Sequence, residues 1–110
     1  MTDRELLELA AKAADDGIVF YGECWRAQTG YEWNPLTDDG DALRLAVKLA
    51  LTIDRADCQC CAHVYGDIEN DYVSLDERFR EVDGPELQTP EQATRRAIVR
   101  AAAEIGKAMQ

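Results

Sequence analysis

The sequence has no long run of apolar residues. A membrane-spanning helix needs about 20 consecutive apolar residues, and no stretch of these 110 residues approaches that length. The amino-terminal segment, Met1 to Leu7, is charged and helical in pattern, whereas a signal peptide has a basic start and an apolar middle. We therefore expect a cytoplasmic protein that neither crosses nor binds a membrane.

Basic residues are also scarce. The chain has 12 lysines and arginines against 22 aspartates and glutamates, which gives a net charge of −10. A surface this acidic repels phosphate backbones and anionic lipids, so direct nucleic-acid binding is not expected. The same surface suits a basic protein partner, although acidic residues also serve solubility alone.

The sequence motifs of common enzymes are missing. There is no phosphate-binding loop, no dinucleotide fingerprint and no nucleophile elbow. A nucleophilic Cys61 activated by His63 would lack an identifiable third residue to orient the imidazole. We expect neither an enzyme nor a cofactor.

Three segments combine a helix start signal with apolar residues at helical spacing. The start signals are Thr2 with Glu5, Thr37 or Asp38, and Thr89-Pro90-Glu91-Gln92. In the middle helix, Leu43, Val47 and Ala50 widen the apolar stripe of Ala42, Leu45, Ala46 and Leu49. A stripe this wide indicates a helix packed between other elements.

Extended segments lie between these helices. Residues 18–26 and 31–33 are rich in aromatic and β-branched residues and predict a hairpin, with Phe20 and Trp25 on opposite faces of its first strand. Residues 51–64 predict a strand with a bulge or bend near Asp54-Arg55, residues 72–75 a second strand, and residues 76–88 a loop. We predict one α+β domain over residues 1–110, with the order α-β-β-α-β-β-α and a small antiparallel sheet packed against three helices.

Four potential metal ligands lie within six residues: Cys58, Cys60, Cys61 and His63. Cys24 could join them. On a strand, Cys58 and Cys60 would lie on one face, and Cys61 and His63 on the other. One ion cannot collect both pairs, and structural zinc sites normally use a Cys-x-x-Cys knuckle. We expect buried cysteines that act as small hydrophobic residues, and no metal. A zinc site formed from these five residues is the alternative, and a disulfide from Cys24 to this strand is the one pairing worth testing.

An acidic cluster at residues 67–71 has the spacing of the start of a calcium loop. Asp67, Glu69 and Asp71 fit its first positions, but Tyr72 stands where the loop needs glycine and Arg78 where it needs glutamate. We interpret the three acidic residues as candidates for protein binding instead. Candidates of a second kind are aromatic residues of the hairpin, since outward aromatic side chains often dominate interfaces: Trp25, Tyr31 and Trp33. A place in the core, or shielding of the sheet edge, is the interpretation that we favour for these aromatic residues.

The helical segments at residues 1–14, 33–49 and 93–106 resemble small uncharacterised proteins of tailed phages and prophages. Some of those proteins are grouped as a phage α-β-α sandwich domain, a fold that agrees with the one predicted here. The resemblance covers a little under half of the chain and implies no site residues. It implies an accessory protein acting in a bacterial host cell.

These observations lead to three hypotheses. The first is a non-enzymatic module that binds a host protein, for example an anti-CRISPR-like inhibitor of a host defence or nucleic-acid-processing protein with a DNA-mimicking acidic surface. The second is a small zinc-binding module. The third is a structural homo-oligomer, such as a homodimer, that buries the edge of the aromatic hairpin.

Overall fold

The computed structural model describes residues 2–15, 17–21, 24–26, 32–55, 59–64, 73–78 and 87–108. Three helices and six strands lie within these ranges. In chain order they are α1 (Asp3–Ala14), β1 (Val19–Tyr21), β2 (Cys24–Arg26), β3 (Glu32–Trp33), α2 (Asp39–Lys48), β4 (Thr52–Arg55), β5 (Gln59–Val64), β6 (Val73–Arg78) and α3 (Pro90–Ala108).

All of the described strand pairs are antiparallel. The predicted α+β class, with antiparallel strands and three helices, is confirmed. The strands form two sheets, β1-β2-β3 and β4-β5-β6, instead of one. The chain has one more strand than predicted before α2 and one more after it. Two stretches that were predicted as single strands are therefore hairpins.

The first of these stretches is residues 18–26. Tyr21 pairs with Cys24 across the antiparallel ladder, so the chain reverses between these two residues, and Gly22 lies between them in the sequence. A glycine inside a strand pattern is a turn signal, and the single-strand prediction passed over it. Phe20 pairs directly with Trp25, and their ring centroids are 5.2 Å apart. The prediction that these two rings lie on opposite faces was therefore wrong.

The second stretch is residues 51–64. Arg55 pairs with Cys60 and Thr52 with His63, so the chain reverses between Arg55 and Cys60, beyond the predicted bulge or bend near Asp54-Arg55. A change in apolar parity along a sequence fits a bulge and a hairpin equally well. β6 continues to Arg78, beyond the predicted strand end at residue 75, because its polar residues pair with β5.

Local capping explains where the helices begin. The Thr2 hydroxyl accepts a hydrogen bond from the Glu5 amide at 3.2 Å. Thr89 and Gln92 form a reciprocal capping box, in which each side chain accepts the other's backbone N–H. The predicted starts of α1 and α3 are confirmed.

α3 is the central element, since it packs against α1, α2 and all three strands of the second sheet. Arg96 contacts Asp3, and Gly106 lies against Leu9, so α1 and α3 run in the same direction. A Cβ atom on Gly106 would lie 2.0 Å from the Leu9 carbonyl oxygen. Buried alanines fill the α3 side of the core, including Ala93, Ala97, Ala101 and Ala102. Small residues therefore allow α3 to approach its neighbours closely.

α2 buries only one side. Ala42, Leu45 and Ala46 lie in the core, but Leu43 is 64% exposed and Val47 is 72% exposed. The prediction that this helix is packed between other elements is wrong for the face that carries these two residues. Within the described ranges, none of the helices combines the length and hydrophobicity that a membrane crossing requires.

Candidate protein-binding site

The connection from β3 to α2 is fixed by hydrogen bonds of its own residues. The Asn34 side-chain oxygen accepts the Leu36 amide at 3.1 Å, and the Asn34 carbonyl accepts the Asp38 amide at 2.9 Å. Pro35 between them is fully buried. Asparagine followed by proline is a typical turn signal, and the structure confirms that the chain turns here.

A buried carboxylate joins this turn to the helix. Asp38 is the N-cap of α2, and its carboxylate accepts the Asp41 amide at 2.8 Å. The Asp41 side chain is itself buried; it accepts the Asn34 amide at 2.9 Å and an Arg44 guanidinium N–H at 2.6 Å. The end of β3 and the first turn of α2 therefore form one rigid unit.

Arg95 of α3 holds the same unit from the other side. Its Nε donates to the Leu36 carbonyl at 2.9 Å, and one terminal nitrogen contacts the Asp39 carboxylate at 2.5 Å. The guanidinium is mostly buried, with 17% of the side chain exposed. The turn is thus anchored to the central helix and can support side chains at the surface.

Two adjoining cavities open beside this unit, and together we call them the β3 cleft. The polar cavity has a volume of about 420 Å³ and is lined by Glu32, Asn34, Thr37, Asp38, Asp41 and Arg44. The aromatic cavity has a volume of about 250 Å³ and is lined by Arg4, Leu7, Phe20, Trp25, Glu32, Trp33 and Asn34. Glu32 and Asn34 line both cavities, so the aromatic end of the cleft and its acidic end adjoin at these two residues.

The chemistry of the β3 cleft suits a basic side chain. Phe20 is 39% exposed, and the guanidinium carbon of Arg4 lies 4.5 Å from its ring centroid. Glu32 and Asp38 present exposed carboxylates at the acidic end. The apolar stem of a lysine or arginine packs well on an aromatic ring, while its cation binds carboxylates.

A second surface lies between α2 and α3, and we call it the α2–α3 groove. Its volume is about 610 Å³. The apolar lining consists of Ala42, Leu43, Ala46, Ile53, Pro90 and Ile98, and the polar lining of Asp39, Glu91, Thr94 and Arg95. The exposed side chains of Leu43 and Val47 lie along one side of it, so the apolar surface continues from the groove onto α2.

The structure describes two of the predicted protein-binding residues, Trp25 and Trp33. Trp25 is half-buried and lines the aromatic cavity. Trp33 is only 6% exposed and belongs to the core, so it forms the base of the cleft and is not an outward contact. The remaining candidates lie outside the described residues: Tyr31, Asp67, Glu69 and Asp71.

The predicted metal candidates occupy separate sheets. Cys24 is in β2, whereas Cys60, Cys61 and His63 are in β5, and β2 pairs with β1 and β3. Cys58 lies outside the described residues. Among the residues that the structure describes, no group of three or more histidines, cysteines and carboxylates is placed to hold a metal ion.

Several residues of the site were absent from the sequence-based candidates. Phe20 and Glu32 reach the cleft from different strands, and Arg4 reaches it from α1. The Gly22 turn signal would have placed Phe20 beside Trp25, but nothing in the sequence brings Arg4 to that ring. The exposed pair Leu43 and Val47 was visible as the widened stripe and was assigned to packing.

The chain was compared with protein-family models, with curated proteins and with solved structures. None of the three comparisons found a match.

Proposed function

We propose that this protein is a non-enzymatic accessory protein of a phage or prophage that binds a host protein in the bacterial cytoplasm. The partner presents a basic segment, and the β3 cleft receives it. One observation carries this proposal: an exposed aromatic ring and exposed carboxylates line two adjoining cavities that share Glu32 and Asn34 beside a hydrogen-bonded turn.

The charge of the whole molecule supports the same partner. A net charge of −10 attracts a basic protein over a distance of about 10 Å at ordinary ionic strength, before any contact forms. The cleft then supplies the short-range contacts. Arg4 on the Phe20 ring is an example, within the chain, of the contact proposed for the partner's basic side chain.

The phage-like sequence of the helices suggests what the partner does. A host defence or nucleic-acid-processing protein has a basic surface for its polyanionic ligand, and an acidic protein can cover that surface. In this proposal the carboxylates of Glu32 and Asp38 stand in for phosphates. The protein acts by occupying the surface and needs no chemical step.

The experiment compares three immobilised proteins in bacterial lysate at low salt. They are the wild type, Glu32→Lys in the cleft, and Glu104→Lys as a control of equal charge change. Glu104 lies near the end of α3, away from the cleft, and is 44% exposed. Captured proteins are identified by mass spectrometry, purified and titrated against all three.

The expected result is a basic protein that binds the wild type and Glu104→Lys with similar affinity. Glu32→Lys should weaken that binding by at least about tenfold, because a lysine cation, which repels the partner's basic side chain, replaces the carboxylate that binds it. An equal loss of affinity in both variants would show that only the overall charge matters. Unchanged binding to all three proteins would exclude the cleft as the binding site. Either of these results contradicts the proposal.

A further inference from the structure

We propose that Arg4 makes an autoinhibitory contact in the β3 cleft. In the free protein its guanidinium occupies the Phe20 ring, and an arginine of the bound partner must displace it. This inference rests on the proposed function, because it concerns the same cleft and the same kind of partner. It adds that a residue of the chain itself limits the affinity of the cleft.

The aromatic end of the β3 cleft already holds a cation. The guanidinium carbon of Arg4 lies over the Phe20 ring, 4.5 Å from its centroid, and a cation is attracted to an aromatic face within about 6 Å. Trp25 packs against the same ring at an angle of 57°, with 5.2 Å between the ring centroids. All three residues line the aromatic cavity. A basic side chain that enters this cavity therefore meets Arg4 on the ring that it would bind.

Two cations cannot occupy this position together. The partner's guanidinium would need the ring of Phe20 and the carboxylate of Glu32, which lines the same cavity as Arg4. Like charges at contact distance repel each other, and they do so more strongly at a protein surface than in bulk water. The partner can therefore use the Phe20 ring only when Arg4 has left it.

Arg4 can leave the ring without a change in the backbone. It is an exposed residue in the first turn of α1, and its side chain is long and flexible. The other charged residues of this turn, Asp3 and Glu5, are acidic, as the positive end of the helix dipole favours. The dipole disfavours a cation here, so we expect α1 to remain intact when Arg4 is replaced by a neutral residue.

The first test is calorimetric titration of a short peptide of alternating arginine and leucine into the wild type, Arg4→Gln and Lys107→Gln. Lys107 is 58% exposed in the last turn of α3 and lies outside the lining of the cleft, so it is a control with the same charge change. A cation–π contact at an exposed site is equivalent to a factor of about two to five in affinity, and loss of the like charge adds to this. We expect Arg4→Gln to bind the peptide about threefold to tenfold more tightly than Lys107→Gln does.

The second test separates the ring from the charge. In the Phe20→Leu background, the advantage of Arg4→Gln over Lys107→Gln should largely disappear, because no ring remains to be uncovered. Circular dichroism checks that each variant is folded. NMR of the wild type gives a direct readout, since the Phe20 ring should shift the side-chain protons of Arg4 upfield, and peptide binding should move them back downfield.

The possible failures of the two proposals differ. Equal peptide affinity of Arg4→Gln and Lys107→Gln, with binding that Glu32→Lys still abolishes, would overturn the autoinhibitory contact and leave the proposed function standing. Weaker binding by Arg4→Gln than by the wild type would also overturn it, because Arg4 would then help to hold the partner. An advantage that persists in full in the Phe20→Leu background would do the same. Absence of peptide binding to every variant would contradict both proposals.

Discussion

At the scale of single residues, Asp41 is the most informative side chain. Burying a carboxylate costs several kcal/mol unless its oxygens find partners. Asp41 is only 3% exposed and has the Asn34 amide and the Arg44 guanidinium as partners. It also lies in the first turn of α2, where the helix dipole favours negative charge. We infer that Asp41 stabilises the turn on which the β3 cleft is built.

Replacing Asp41 should therefore destabilise the fold. Asp41→Ala leaves the Asn34 amide without its acceptor, and we expect the free energy of unfolding to fall by about 2–4 kcal/mol. Asp39→Ala is the control, since Asp39 is 79% exposed and its ion pair with Arg95 should contribute less than about 1 kcal/mol. Urea denaturation of both variants measures the difference, and equal losses would contradict this role for Asp41.

The two described helical glycines give a second prediction at this scale. A Cβ on Gly106 would collide with the backbone of Leu9, so Gly106→Ala must push α1 away from α3 and cost about 1–3 kcal/mol. The nearest atoms at Gly40 belong to the flexible side chains of Asp38 and Arg44, at 3.2 and 3.3 Å. Gly40→Ala should be neutral or gain up to about 1 kcal/mol of helix propensity.

Thermal unfolding of both glycine variants decides whether close packing at Leu9 matters. We expect the melting temperature to fall for Gly106→Ala and to stay level or rise for Gly40→Ala. A fall of equal size in both would mean that the response to alanine does not depend on the distance to the neighbouring helix.

At the scale of elements, the helices were predictable and the strand connections were not. A helix start depends on residues three apart, such as Thr89 and Gln92, so a short window of sequence contains the whole signal. Strand pairing depends on partners further along the chain. Apart from the turn signal at Gly22, the pattern at residues 18–26 is compatible with one strand, and the pairing of Phe20 with Trp25 shows that the chain reverses.

The same limit applies to the candidate site. Asp38 was predictable as a cap because it acts on a neighbour in sequence. The aromatic cavity combines α1, the first sheet and the β3–α2 turn, so its composition depends on tertiary packing. Trp33 shows the ambiguity most clearly, since an aromatic residue on a short strand suits a binding surface and a core equally well, and it is buried.

The end of α2 supports a prediction about this element. Ala50 adopts a φ of 55°, a left-handed conformation that favours glycine, and the Leu51 amide donates to the Ala46 carbonyl at 2.9 Å. Ala50→Gly should relieve this strain and raise the free energy of unfolding by about 0.5–1 kcal/mol. Ala50→Val should lower it, because a β-branched residue tolerates positive φ poorly. Chemical denaturation tests both, and stabilisation by valine would contradict the assigned conformation.

At the scale of the whole molecule, net charge should affect stability and binding in opposite directions. A charge of −10 repels itself within the folded chain, and it attracts a basic partner. Raising the salt concentration from about 0.01 M to about 0.5 M shortens the screening length several-fold. We expect the melting temperature to rise and partner affinity to fall over this range.

Calorimetry at each salt concentration measures the melting temperature, and titration of the captured partner measures its affinity. A partner affinity that does not change with salt would remove the electrostatic part of the proposal.

The central claim is that a defined cleft, and not acidity in general, binds basic segments. The most direct test is a ¹⁵N NMR titration with a short peptide of alternating arginine and leucine. We expect amide shift changes that are concentrated at Arg4, Phe20, Trp25, Glu32 and Asp38. Glu32→Lys should abolish these shift changes, whereas Glu104→Lys should preserve them. Shift changes spread evenly over the acidic surface, or equal in the two variants, would contradict it.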